Sequence, residues 1–156
     1  MEGDIQNTVA RAGQQIDLGE GITIEVVHPQ EELIKGSVSD INNNSVVLWL
    51  NWGEVSFLLT GDIFGEAERD ILHSNGSLKS TVLKVAHHGS NTSTSSSFLS
   101  AVDPQVAVIC VGNNDFGHPH GETLARLRGV KVYRTDEQGT VTFTTDGQKL
   151  WVETEK

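Results

Sequence analysis

The sequence has little of what would let it be stapled, anchored or bound electrostatically. It contains one cysteine, Cys110, so no disulfide can form within the chain, and a thiol inside the apolar run Val106 to Val111 reads as buried and inert. No apolar stretch approaches the roughly 18 residues that a membrane helix needs. The opening Met-Glu-Gly-Asp-Ile-Gln is acidic and polar, unlike a signal peptide. Basic residues are scarce: 11 Lys and Arg face 21 Asp and Glu, for a net charge of -10. A chain of that charge is a poor general ligand for phosphate backbones, whose affinity comes largely from Lys and Arg. The deficit is local. Residues 1–78 hold three basic against thirteen acidic residues, whereas residues 79–156 hold eight of each. No phosphate-cradling Gly-x-x-x-x-Gly-Lys, no Gly-x-Ser-x-Gly elbow and no Cys-x-x-Cys is found.

What remains is a 156-residue chain with 37% hydrophobic residues and a mean hydropathy of -0.24, suited to one soluble domain with a single core. Residues 1–15 read as a loose polar lead-in. Ile22, Ile24 and Val26 alternate with polar residues as a half-buried strand that ends at His28-Pro29. Gln30 to Asn44 predicts a long loop. Ser45 to Asn51 predicts a strand buried on both faces, turning at Trp52-Gly53-Glu54 into a partner that closes at Gly61-Asp62. Residues 65–74 predict a helix, with Ala67, Ile71 and Leu72 inward and Glu66, Glu68, Arg69 and Asp70 on the other faces. Val82 to Ala86 is a short apolar strand, and Asn91 to Ser97 reads as a loop plus the N-cap of a short helix that holds Phe98, Leu99, Ala101 and Val102 and ends at Asp103-Pro104. Val106 to Val111 predicts a strand, Glu122 to Arg128 a helix and Val130 to Tyr133 a strand. A hairpin follows around Asp146-Gly147. Strands, then strand–helix repeats, then an edge hairpin make an α/β class with a mixed sheet and outer helices.

Chemistry-bearing residues collect where predicted strands end. Asp62 can ligate a metal or cap the following helix. His87 and His88 are adjacent, so on an extended backbone they point to opposite sides and one of them faces any site shared with Asp62. Ser90 can act as a nucleophile or phosphate contact, or simply form the turn. His118 and His120 flank Pro119 in a polar loop. His28 and His73 read as incidental.

Leu-Leu-Thr-Gly-Asp (58–62), Val-Leu-Lys-Val-Ala-His-His-Gly-Ser-Asn-Thr-Ser (82–93), Gly-His-Pro-His (117–120) and Val-Tyr-Arg-Thr-Asp-Glu-Gln-Gly (132–139), with Asn43-Asn44-Ser45, resemble a known family. They look like the C-terminal part of the metallo-β-lactamase-like domain of ComEC-type competence proteins, the DNA-uptake channel of the inner membrane. The resemblance implies the second ββα half of an αββα fold, in which two zinc or manganese ions sit between the halves. It places Asp62 at the metal-bridging carboxylate and His88 at the strand-end ligand, with His87 as the alternative register. His118 falls near the site in a substrate or proton-transfer role. The first half's His-x-His-x-Asp-His is absent, since no histidine precedes His28, and the loop where another ligand is expected holds Asn42, Asn43 and Asn44. The resemblance therefore implies a piece of a metal-dependent phosphodiesterase or nuclease acting on single-stranded DNA, attached to the membrane through its parent. Such a piece is inactive alone and prone to self-association where its other half should sit. A hydrolase of a small ester, thioester or phosphodiester, or an interaction module without activity, are the alternatives.

Overall fold

The computed structural model describes residues 7–75 and 77–156. Its centre is a seven-stranded mixed sheet whose strands follow chain order: β1 (Gln15–Gly19), β2 (Ile22–His28), β3 (Val47–Trp52), β4 (Val55–Leu59), β5 (Val82–Lys84), β6 (Val106–Ile109) and β7 (Lys131–Arg134). The first four pair antiparallel, β1 with β2 and β3 with β4 through short turns and β2 with β3 across a long loop. From β4 onward the pairing is parallel, and each crossover carries a helix. These are α2 (Gly65–Ser74), α3 (Ser96–Val102) and α4 (Gly121–Arg126). A one-turn α1 (Asp40–Asn43) breaks the long loop after β2, and α5 (Thr135–Gln138) follows β7. No helix among the described residues is long and apolar enough to cross a membrane.

The helices lie on one face of the sheet. Val27, Val47, Leu58 and Leu83 point from four strands into a cluster with Ile63 and Ile71 around α2 and with Phe98 and Val102 of α3. Ala107 and Ile109 continue that face under Leu127, and Leu99 touches both clusters. Leu58, Leu83 and Phe98 are wholly buried, so truncation of any one to alanine would cost on the order of 2–5 kcal/mol.

The other face is covered in part. Register places Ile16, Ile24, Leu50, Phe57, Val82 and Val106 in one apolar row across six strands. The predicted hairpin exists as β8 (Val141–Thr145) and β9 (Leu150–Thr154), but it forms a separate two-stranded sheet instead of an edge of the main one. It is held against this second face by Phe143, which meets Phe57 and Tyr133 edge-on with ring centres 6.0 and 6.3 Å apart. The Glu54 N–H also donates to Gly147 O across 2.6 Å. Toward β1 the row is open: Ile16 and, two positions along β4 from Phe57, Leu59 are exposed.

Several local readings change. Of the lead-in, residues 1–6 lie outside the described residues, and Ala12 and Gly13 already donate to Pro29 O and Val26 O. Strand β3 is buried at Val47 and only half-buried from Leu48 to Trp52, because the second face is incompletely covered. Glu68 is not on an outer face. Its carboxylate is buried and accepts the N–H groups of Thr94 and Ser95, joining α2 to the loop before α3. His28 is also buried, donating from Nε2 to Asn43 O across 2.7 Å with Nδ1 at 3.7 Å from Asp70. Burial lowers its pKa, against smaller opposing effects of Asn43 and Asp70.

Candidate functional site

The ends of β4, β5 and β6 converge at one rim of the sheet. Asp62 lies three residues beyond β4, after Thr60, whose hydroxyl donates to Lys84 O across 2.7 Å. Helix α2 begins only at Gly65, with Phe64 at the capping position, so Asp62 does not cap it. That work falls to Asn43, a buried residue of α1, whose Oδ1 accepts the N–H groups of Phe64 at 3.1 Å and Ala67 at 3.4 Å. Asp62 is thereby left half-exposed, with its carboxylate free for other use.

Beyond β5 the chain makes a tight turn over Ala86–Gly89. His87, His88 and Gly89 take φ of 47°, 54° and 82°, three left-handed residues in a row. This corrects the expectation of an extended backbone with the two imidazoles on opposite sides. For non-glycine residues that conformation costs about 1–2 kcal/mol each. The cost is met by tertiary bonds. The His87 N–H donates to Gly61 O, the Ser90 N–H to His87 O and the His120 N–H to Gly89 O, at 3.2, 2.8 and 2.9 Å. Position 89 must be glycine, because a Cβ there would stand 2.6 Å from Cβ of Pro119.

The turn gives the two histidines different surroundings. His88 donates from Nδ1 to Cys110 O across 2.6 Å, which fixes its tautomer and leaves the Nε2 lone pair 3.7 Å from Oδ1 of Asp62. His87 stacks on Phe64, ring centres 4.9 Å apart, and its buried Nδ1 has no hydrogen-bond partner among the described residues. His87 continues edge-on to His118 at 5.4 Å, and His118 to His120 at 5.1 Å. Burial lowers the pKa of His87 and His118, and neighbouring imidazoles add to it; Asp62 opposes the shift in both. Both rings are therefore held toward the neutral form.

Ser90 does not join this group. It is buried, its hydroxyl pairs with that of Thr92 at 2.9 Å and accepts the Thr92 N–H, so it builds the turn. His73, bonded through Nδ1 to Arg69 O, lies on α2 and takes no part. Residues that were read only as strand or loop do contribute. Lys84 donates to Gly61 O at 3.3 Å behind His87, and Asn43 sets α2. Thr135 clamps Val111, accepting its N–H at 2.8 Å and donating to its carbonyl at 2.7 Å. Only the Asn-Asn-Ser and Arg-Thr-Asp segments of the sequence pattern hinted at the last two.

Two donors, a carboxylate oxygen and an imidazole nitrogen 3.7 Å apart, are spaced so that one ion with bonds of about 2 Å can share them. Such an N,O pair suits zinc or manganese. Among the described residues, no group of three or more His, Cys, Asp or Glu is arranged to hold an ion.

No protein-family model matches the chain. Curated relatives do. ComE operon protein 3 of Bacillus subtilis is 41% identical over 105 residues, which is 65% of this chain and 14% of that protein. Competence protein ComA of Neisseria gonorrhoeae is 38% identical over 128 residues, 80% of this chain and 18% of the relative. The chain belongs to the ComEC-type competence proteins. Recombination protein 2 of Haemophilus influenzae is 35% identical over 113 residues, covering 72% of this chain and 14% of its own. The chain thus spans less than a fifth of each of these ComEC-type relatives.

Proposed function

We propose that this chain forms one wall of a two-metal phosphodiesterase site that cuts the strand of DNA not taken up during competence. The observation that carries the reading is the orientation of His88. Its Nδ1 proton is committed to Cys110 O, and its Nε2 faces Asp62. Metal-ligating histidines are held in this way, one nitrogen tied to a carbonyl and the other presented. The name of the Neisseria gonorrhoeae relative, competence protein ComA, adds the competence context.

In this reading Asp62 and His88 would hold metal ions, which when bound would supply an activated water and neutralise charge at phosphorus. His118, kept toward its neutral form chiefly by burial and then by His87, His120 and His88, accepts or relays a proton beside them. His87, packed on Phe64 and bonded through its backbone to Gly61, positions His88 and is not itself a ligand. Ser90 keeps the turn. The remaining ligands come from a segment carrying the His-x-His-x-Asp-His pattern, which seats on the open part of the second sheet face near Ile16 and Leu59. Without it, that patch supports self-association. In the parent, this wall belongs to a domain attached to the membrane channel.

Titration of the chain with Mn(II) and Zn(II), together with a single-stranded DNA cleavage assay, tests this. Weak metal binding that D62N and H88A abolish is expected, with no turnover by the chain alone. Robust turnover by the chain alone, or metal binding indifferent to both substitutions, would overturn the reading.

A further inference from the structure

Beside the Asp62–His88 pair lies a pocket of about 380 Å³ whose wall is mostly apolar. His88, Cys110, Val111, Phe116 and His118 are among the residues that line it. Phe116 is 78% exposed, a large apolar ring held out in water. It is nonetheless fixed in place. Its ring stacks on His118 at 5.8 Å with planes 29° apart. Asn114 spends its amide on the loop beneath: Nδ2 donates to Gly112 O and His118 O, and Oδ1 accepts the N–H groups of Phe116 and His118. A loop ordered in this way around an exposed ring is a prepared stacking surface.

We propose that Phe116, backed by His118, is the platform on which an unpaired nucleobase of single-stranded DNA stacks, setting the adjoining phosphodiester against Asp62 and His88. The inference rests on the phosphodiesterase reading above and names how that substrate is gripped. Electrostatics leave few alternatives. The half of the chain that holds Phe116, residues 79–156, carries no net charge, and Asp115 precedes the ring in sequence, so attraction to phosphate adds little to the affinity. Stacking on an aromatic face does not need positive charge. Because the side chain of Asn114 is fully committed to the loop, it has no group left to read a base edge. Stacking on an aromatic face tolerates every base, so the platform should hold thymine and adenine alike.

The test uses the wild-type chain, metal-free, at low ionic strength, with fluorescein-labelled octamers of thymidine, of deoxyadenosine and of base-free abasic units. The thymidine and deoxyadenosine octamers should bind alike and roughly tenfold tighter than the abasic one. F116A should bring that ratio to near unity, and F116W should keep it. Equal binding of based and abasic octamers, no binding of any octamer, or a ratio unchanged by F116A would overturn the proposal. Manganese-dependent DNA cleavage by the full-length parent is scored separately. Its absence removes the phosphodiesterase reading even where the base preference holds, and loss of the base preference leaves cleavage chemistry standing.

Discussion

His88 donates its Nδ1 proton to the carbonyl oxygen of Cys110 across 2.6 Å, and its second nitrogen faces Asp62. The bond crosses from the turn after β5 to the end of β6, so the packing of two parallel strands decides which imidazole nitrogen is presented. ¹⁵N-detected NMR should show the neutral His88 ring protonated at Nδ1 and unprotonated at Nε2. The opposite tautomer would contradict the orientation on which the ligand role depends.

Glu68 should be a stability residue and not a solvated one. Its buried carboxylate accepts two backbone N–H groups, from Thr94 and Ser95. Replacement by alanine leaves both donors unsatisfied at about 1–3 kcal/mol each. E68A should therefore unfold at clearly lower urea, whereas alanine at the exposed neighbour Arg69 should change stability by about 0.5 kcal/mol or less. Equal effects would show that the carboxylate is not bonded as described.

Among the three consecutive asparagines, only Asn43 reaches the start of α2. N43A removes the acceptor of the Phe64 and Ala67 N–H groups and should cost about 1–2 kcal/mol, the range for loss of a helix cap. It should also loosen the Asp62 segment, so hydrogen exchange of residues 62–67 should speed up more than that of β5. Uniform acceleration would place the effect elsewhere.

His28 should make stability fall with acid. Burial lowers its folded pKa, while the unfolded chain keeps about 6.5. Below 6.5 the unfolded state binds a proton that the folded state refuses, so the contribution is complete above that pH and is lost as pH falls toward the folded value. Asp70, facing Nδ1, and Glu66, bonded to Asn43, are the charged groups near it. Melting temperature should drop between pH 7.5 and 5, and the drop should shrink in H28Q, which is already destabilised at neutral pH. A drop of the same size in H28Q would assign it to other groups.

Much of the fold follows from periodicity. Helix α2 occupies the residues predicted for it, Gly65–Ser74, because its apolar positions recur at helical spacing and Asn75 ends it. The hairpin β8–β9 was legible in Asp146-Gly147 and the alternating flanks. Its place was not, since a hairpin's own pattern does not say whether it extends a sheet or packs on one. The ring contacts of Phe143 with Phe57 and Tyr133, far apart in sequence, settle that. Glu68 and His28 were misread for a related reason. A charged residue on a helix, or a histidine before proline, carries no local mark of burial; the partners that bury it come from distant segments.

The sequence by itself determined that Asp62, His87, His88 and His118 stand at strand ends and in the loop that follows, because apolar runs stop at those residues. It determined the acidic charge and the family. Tertiary structure decided the rest of the site. Three left-handed residues turn His88 toward Asp62 and His87 onto Phe64, a backbone path no local propensity favours and only the bonds to Gly61 and from His120, with the close approach of Pro119, maintain. Which of two adjacent histidines faces the site is thus set by contacts between segments far apart in the chain.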